Sequence, residues 1–578
     1  MSAFESQSPP QPDNRPKVRW RFAVAAMAVL HVLLGWDCAR RWSATHDEYW
    51  HLPAGLAAWN EGRFDVDNLN PPLTRMWDSI PLVLGGASLP RGLPADDAFL
   101  LGDEFLKANP DRYQLWLTLA RGMNLLLSAA MGILLAIWGR ETFGAVAGLI
   151  AAALWLTCPI CLSNGALVTP DAGATLLFAA TLYFTQRSAR SPTWGGSAVV
   201  GILLGLAQLT KFTNILLFGF VPLVWGVTRF RAQLPVVPVR RAIPQWFILV
   251  VAAIVVWNAG YLFHGTGRRL GEWEFRSQAM RGVQSRLAAL SNVPVPLPAD
   301  YLAGFDRQRS IMEGSHPIYL NGVWNLEGFP YYYAYCALYK WPHATQLGLL
   351  LGALTAGSLW GRKSWRTNLV LLIPAVVVVG VASGVGMQLG FRYNLPALPL
   401  LYLFAGQAAQ WCWESRSAWG RVAVAAFALA LPLGLRDHPH HLAYFNELSG
   451  GFAGGRTHLA DSNLDWGQDL LELRDFLKSQ EVDHVGLAYF GMLPPSALGF
   501  DYELPPSAAV VAGFGRPPAG WYAISVNFSL GRPHTIRNPD NSIRGAGFQE
   551  FGYFRQMKPV KTIGGSIDVF HVEPRSRR

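Results

Sequence analysis

Apolar stretches of about twenty residues alternate with short charged or aromatic-rich connectors from residue 20 to residue 435. A run of that length crosses the hydrocarbon core of a bilayer as a helix. In lipid, a helix or a closed barrel is all that satisfies every backbone N–H and C=O. Barrel strands need only about ten residues, so runs this long and continuous predict helices. The pattern places spans at 20–38, 115–138, 143–163, 168–186, 195–212, 213–228, 245–263, 343–360, 367–388, 393–412 and 418–435. The expected fold class is a polytopic α-helical membrane protein of about eleven transmembrane helices. The fifth and sixth stretches are divided by a tight turn at Thr210-Lys211-Phe212-Thr213-Asn214.

The connectors give a direction. With the N-terminus inside, beside Arg15, Lys17, Arg19 and Arg21, alternate loops carry Arg140; Arg187 and Arg190; Arg229, Arg231, Arg240 and Arg241; Arg362, Lys363 and Arg366; and Arg416 and Arg421. All of these loops fall inside, as the bias of Lys and Arg towards the cytoplasmic side requires. Residues 1–19 read as a polar, Pro-rich, disordered cytoplasmic tail. The first apolar run lacks a cleavage site followed by a soluble chain, so it reads as an anchor. The transmembrane domain is 20–435, with large outer loops at 39–114 and 264–342. Residues 436–578 form an extracytoplasmic α/β domain with a helical pattern at 469–478 and strand-like runs at 484–489, 508–512, 521–526 and 567–571. Within the first loop, 72–84 is amphipathic and suited to the membrane interface. The expected location is a bacterial inner membrane.

Composition adds limits. Of 578 residues, 51% are hydrophobic and 15% charged, against about 25% charged in soluble domains. The net charge of +10 does not imply a nucleic-acid partner, because the cations sit in short loops between spans. The five cysteines are scattered, and Cys158-Pro-Ile-Cys161 lies at the end of an apolar helix, where packing is the plain reading. No repeat suggests the inverted halves of a transporter.

Charged residues at helix mouths cost free energy in lipid and call for a reason. Asp47 and Glu48 follow the first span within His46-Asp47-Glu48-Tyr49-Trp50-His51. Adjacent carboxylates repel unless a cation or metal is near, and such a carboxylate serves as a general base. Asp171 opens the fourth span, where it also reads as an N-cap. Lys211 closes the fifth span, Arg392 opens the tenth, and Arg121 lies about two turns into the second. Each cation suits either the interface, by snorkelling, or a phosphate. Taken together they map to one face. His46 and His51 beside Asp47 allow a divalent metal, although one segment alone lacks ligands for it.

At these residues a resemblance enters. Asp47-Glu48, His51, Gly55 and Asn70-Pro71-Pro72-Leu73 resemble the first outer loop of lipid-carrier-dependent glycosyltransferases with the C-type transferase fold. That group includes protein O-mannosyltransferases and lipid A aminoarabinose transferases. Arg121, Phe143-Gly144, Asp171 and Leu209-Thr210-Lys211 are similar to motifs further along the chains of that group. So are Gly322-Val323-Trp324, Tyr331-Tyr332-Tyr333, Leu338-Tyr339-Lys340-Trp341-Pro342 and Arg392-Tyr393 before Leu395-Pro396. Asn70 stands where many relatives carry His. The tail segments Tyr444-Phe445-Asn446-Glu447-Leu448 and 461–468 look like a bacterial subgroup of the same proteins.

The resemblance implies a donor sugar on a polyprenyl phosphate, drawn from the surrounding lipids, and an unspecified hydroxyl or amine acceptor. Asp47 would deprotonate or orient the acceptor, and attack would invert the anomeric carbon through an oxocarbenium-like state. Lys211 and Arg392, with Arg121 third, would stabilise the phosphate leaving group. Asp171 would order the site, bind a basic acceptor or share a metal, and Glu48 would tune Asp47 or cap the loop. His51, Asn70 and Tyr393 would position substrate or loop. No cofactor is required by this scheme, though a divalent metal at Asp47 and His51 is compatible with it. The alternative is a lipid or solute transporter, which predicts broken helices and polar residues near mid-membrane. Finally, Asp461, Asn463, Asp465, Asp469 and Glu472 follow a calcium-loop spacing, but Trp466 occupies the position that needs glycine.

Overall fold

A computed structural model describes residues 16–574, apart from 96, 231, 233, 361–364 and 416. The tail up to residue 15 lies outside the described residues, as do Arg231, Arg362, Lys363 and Arg416.

Helices occupy every stretch read as a span. They are Pro16–Arg41, Tyr113–Thr142, Ala145–Leu156 with Pro159–Gly165, Asp171–Arg190, Trp194–Gln208, Leu217–Arg229, Val239–Ala259, His343–Trp360, Trp365–Ser383, Leu398–Glu414 and Ala418–Ala430. Among the described residues, six helices are long and apolar enough to cross a bilayer unaided: Arg19–Arg41, Tyr113–Thr142, Phe212–Arg229, Val239–Ala259, Trp365–Ser383 and Ala418–Leu435. Ala145–Leu156 and Pro159–Gly165, bent by 61°, make a seventh if counted as one span. The chain is a polytopic helical integral membrane protein.

The bend has a local cause. Pro159 lacks an N–H and drives Cys158 to an extended backbone, ψ 124°. Cys158 and Cys161 sit buried and unpaired in that bend. Close packing follows from small residues: a Cβ on Gly139 would lie 2.8 Å from the Gly148 Cα, so the helices meet backbone to backbone. Phe22, Leu33, Phe247, Leu354 and Leu429 are exposed on the outside of the bundle, where lipid is the natural solvent. Inside, polar side chains tie helices together. His31 Nδ1 donates to the Leu156 carbonyl at 2.9 Å, and its Nε2 lies 2.9 Å from Ser128 Oγ.

The segment 39–114 carries the helices Glu48–Glu61, Leu73–Asp78, Ile80–Leu84 and Ala98–Ala108. The segment 264–342 carries Gln278–Arg286, Ala299–Met312, an antiparallel pair β1 (Ile318–Leu320) and β2 (Val323–Asn325), and Tyr332–Lys340. Beyond residue 436 lies a mixed sheet of β3 (His484–Ala488), β4 (Asp501–Glu503), β5 (Gly520–Ser525), β8 (Lys561–Ile563) and β9 (Ile567–Val572), ordered β4-β3-β5-β9-β8. A separate pair joins β6 (His534–Arg537) to β7 (Ile543–Ala546). β3 runs parallel to β4 and β5, and β9 is antiparallel to β5 and β8.

Alternation along the strands gives this sheet two faces. Ala523 and Val569 pack with Leu470, Leu473 and Leu477 of the helix Leu470–Ser479, and with Tyr49, Leu52 and Leu56 of the first loop. Their neighbours Tyr522 and Phe570 pack on the other side with Phe554, Cys38 and Trp42. The first loop, the first span and the C-terminal sheet therefore share cores.

One strand reading is corrected. Residues 508–512 lie in a helix, Ala508–Phe514, which the Ser507 side chain caps at Val510 N–H and Gly515 ends at φ 78°. A five-residue apolar run does not separate strand from helix, and here the two flanking residues decide.

Candidate active site

Four charged residues from four separate elements meet. Asp47 precedes the helix Glu48–Glu61, and Asp171 is the first residue of Asp171–Arg190. Lys211 sits in extended backbone at the break before the turn Phe212–Leu216, and Arg392 lies in the turn Phe391–Ala397. Asp171 follows the N-cap Pro170 as the first helical residue, and its Oδ1 accepts a charged hydrogen bond from Lys211 Nζ at 2.5 Å. Arg392 Nη1 donates to Asp47 Oδ2 at 3.0 Å and lies 3.9 Å from Asp171 Oδ2. The order Lys211–Asp171–Arg392–Asp47 is thus an alternating chain of charge.

Its inner end is closed and its outer end open. The side chains of Asp171 and Lys211 are 1% and 8% exposed, those of Arg392 and Asp47 14% and 21%. Burial works to raise the Asp47 carboxyl, but Arg392, helped by His46 and His51, outweighs it. The carboxyl is held well below its usual range and stays ionised.

These four residues line one cavity of about 280 Å³. Apolar side chains share the lining, among them Phe178, Leu216, Val378, Val381, Ala382 and Val385. A cavity lined by both charged and apolar side chains fits an amphiphile. Asn70 and Tyr393 also line it, and the Tyr393 ring lies 5.0 Å from Lys211 Nζ and 5.3 Å from the Arg392 guanidinium carbon.

Two expected members lie elsewhere. Glu48 and Arg121 are fully buried and paired with each other, Nη2 to Oε2 at 2.5 Å and Nε to Oε1 at 2.8 Å. Arg121 gives its remaining N–H groups to the carbonyls of Ala39, Trp42 and Ser43. Glu48 also accepts from the N–H groups of Thr45 and Val168. Every donor of the guanidinium is spent, so Arg121 has none left for a phosphate and Glu48 is shut away from the cavity. Their work is to hold the Asp47 loop onto the second span.

His51 lines the cavity, with its Nδ1 at 2.9 Å from Asp67 Oδ2, an oxygen that Arg75 also holds at 2.9 Å, and its Nε2 buried with no hydrogen-bond partner. Among the described residues, Asp47 and His51 belong to no three-ligand group.

The C-terminal region supplies Asp461, Trp466, Arg532 and His534, which line the same cavity beside His46; no pattern in the sequence points to Trp466, Arg532 or His534 as members of the site. The Trp466 indole lies 4.1 Å from the Arg392 guanidinium carbon, face on. Arg532 Nη2 meets Asp461 Oδ2 at 2.5 Å, and Asp461 has φ +60°. Burial, with His46 and Arg532 nearby, pushes His534 well below its ordinary value and keeps it neutral. The signal in the chain is the dense polar run 461–468, but its partners are about 70 and 400 residues away.

That run acts as a staple. Asp465 accepts from Gly467 N–H at 3.1 Å, and Asp469 from Ser566 Oγ at 2.6 Å. Asn463 Oδ1 accepts from the Phe391 N–H, beside Arg392. The Gln468 and Trp466 carbonyls accept from the Ser43 and His46 N–H groups, beside Asp47. Gly467 turns at φ +89°, where a Cβ would strike the Gly491 Cα at 2.5 Å. The segment therefore fixes Asp47 and Arg392 relative to each other.

The fold and site so far define a membrane protein with a cavity lined by charged and apolar side chains. Residues 118–258 match the family model described as dolichyl-phosphate-mannose-protein mannosyltransferase, so the resemblance carried by the motifs is met over that stretch. No curated protein matches the chain. Among solved structures, the chain is similar to ArnT from Cupriavidus metallidurans bound to undecaprenyl phosphate. Identity is 14% and the TM-score 0.45, over 91% of this chain and 98% of that one. The apo form of that protein aligns at 16% identity and TM-score 0.43, over 84% and 74%. The oligosaccharyltransferase AglB from Archaeoglobus fulgidus, in complex with an inhibitory peptide and a dolichol-phosphate, aligns at 12% identity and TM-score 0.45, over 95% and 76%.

Proposed function

We propose that this protein is a membrane glycosyltransferase of the C-type fold. It moves a sugar from a polyprenyl-phosphate donor to a hydroxyl or amine acceptor at the extracytoplasmic face, with inversion. The observation that carries this reading is the Asp47–Arg392–Asp171–Lys211 chain in a cavity that apolar side chains also line. The match of 118–258 to a mannosyltransferase family model supports it.

In this scheme the lipid tail lies along Phe178, Val378 and Val381, and the phosphate faces Arg392 and Lys211. The acceptor O–H or N–H attacks the anomeric carbon, the bond from that carbon to the phosphate oxygen breaks, and the acceptor proton passes to Asp47. The leaving phosphate is a weak base and needs positive charge rather than a proton. An Asp47 paired with Arg392 is a poor base. Donor phosphate competes for Arg392, loosens that pair and raises the basicity of Asp47 as the substrate arrives. Asp171 keeps two cations charged in a buried place. Glu48 and Arg121 are scaffold in this scheme, and no step passes through a metal.

The arrangement favours transfer over transport because the charges gather at helix ends beside an aqueous domain. The test supplies purified protein with a panel of polyprenyl-phosphate sugars and follows donor consumption and release of polyprenyl phosphate. Consumption of one donor class is expected. Carrier translocation without cleavage would favour the transporter.

A further inference from the structure

A second chemical cluster lies away from the cavity, where the last span passes into the C-terminal region. The last turns of the first helix carry Asp37 and Cys38, and the connector carries Asp437-His438-Pro439-His440-His441. These two pieces, about 400 residues apart in sequence, lie side by side. Ligand atoms of Cys38, His438 and His441 all fall within 4.8 Å of one another. Cys38 is 0% and His441 1% exposed, and His438 is half-buried.

The ring nitrogens face each other, His438 Nδ1 to His441 Nε2 at 3.0 Å. His438 Nε2 lies 3.2 Å from Asp37 Oδ2. The carboxylate accepts from Nε2–H, which leaves the Nδ1 lone pair aimed at the cluster. That is how histidines are set for metals, with the far nitrogen donating to a carboxylate. Protein groups satisfy only one nitrogen of His441; its Nδ1 is buried with no hydrogen-bond partner. The Cys38 thiol donates to the Pro439 carbonyl at 3.3 Å.

From this geometry we infer a zinc site formed by Cys38, His438 and His441, clipping the root of the C-terminal region to the first span. Zinc takes thiolate and imidazole ligands tetrahedrally, with metal–nitrogen bonds of about 2.0–2.1 Å. Two such nitrogens stand about 3.4 Å apart, so the facing pair needs to open by only a few tenths of an ångström. Water reaches the fourth position from the His438 side. On binding, the His441 proton shifts from Nε2 to Nδ1, the Cys38 thiol proton is released to solvent, and the thiolate joins the ion.

The clip has a structural consequence. The connector leads through Leu442 into 461–470, which holds Ser43 and His46. Anchoring it to Cys38 fixes the closing part of the cavity to the first span. The site does not depend on the proposed reaction.

The test uses the full-length protein in detergent. After equilibration with zinc and removal of excess, metal analysis should find one zinc per chain. Cobalt in its place should give a thiolate-to-metal charge-transfer band, lost in Cys38→Ser. Asp37→Asn should weaken zinc about 10–100-fold while keeping the band. If Cys38→Ser fails to fold, the wild-type cobalt spectrum decides by itself. Substoichiometric zinc, or bound cobalt without the thiolate band, overturns the proposal. The latter would indicate the neighbouring His440, Asp469 and Glu472 group.

Discussion

Trp466 offers a graded test of how the donor phosphate is met. Its indole faces the Arg392 guanidinium at 4.1 Å, and both side chains are largely withdrawn from water. A desolvated cation–π contact is worth about 2 kcal/mol. Losing it frees Arg392 to sample positions away from the phosphate. At 1.4 kcal/mol per factor of ten, Trp466→Leu should raise the donor KM about 30-fold. Trp466→Phe keeps a smaller π face and should cost about half that free energy, so about fivefold. Alanine is a poor choice, because truncating a buried Trp costs about 3–5 kcal/mol of stability. The assay is steady-state donor consumption against donor concentration, with thermal unfolding as a control. A Leu variant equal to the Phe variant, or both equal to wild type, would refute the reasoning.

Three further outcomes are expected. Arg121→Met leaves Glu48 buried and uncompensated and should cost about 3–5 kcal/mol, while the folded fraction keeps its donor KM; a raised KM at unchanged stability would return Arg121 to the phosphate. Burial pushes the Asp465 carboxyl up to about 7, against the N–H groups of Gly467 and Asn527 that favour its charge. An acid raised on folding contributes stability below its unfolded pKa, about 4, that is lost as pH rises through 7, so the unfolding temperature of wild type relative to Asp465→Asn should fall across that window; a constant difference contradicts the burial argument. In the proposed topology, cysteines placed singly at Leu290 and Trp365 should differ in labelling by an impermeant maleimide, the first reacting from outside and the second not, over a background of buried native cysteines.

Much of the fold was legible because lipid imposes it. Twenty-residue apolar runs have few alternatives, and helices stand on all eleven stretches. The meeting of Asp47, Asp171, Lys211 and Arg392 was legible because charges at span ends are few and costly. Glu48 was misplaced because sequence adjacency hid direction: Asp47 and Glu48 straddle a helix start and point to different partners. Arg121 looked free because its acceptors are backbone carbonyls, which no side-chain pattern records. Trp466 and Arg532 were out of reach because contacts across about 70–400 residues follow from tertiary packing alone. The run 461–468 fits a calcium-like spacing, yet its polar density reflects many backbone groups to be satisfied at a junction.

The central claim is that Asp47 acts on the acceptor while Arg392 and Lys211 hold the donor. Donor binding and sugar transfer measured side by side in Asp47→Asn test it most directly. The account predicts binding retained, or strengthened as Arg392 is released, with transfer lost. Transfer at the wild-type rate in that variant would contradict it.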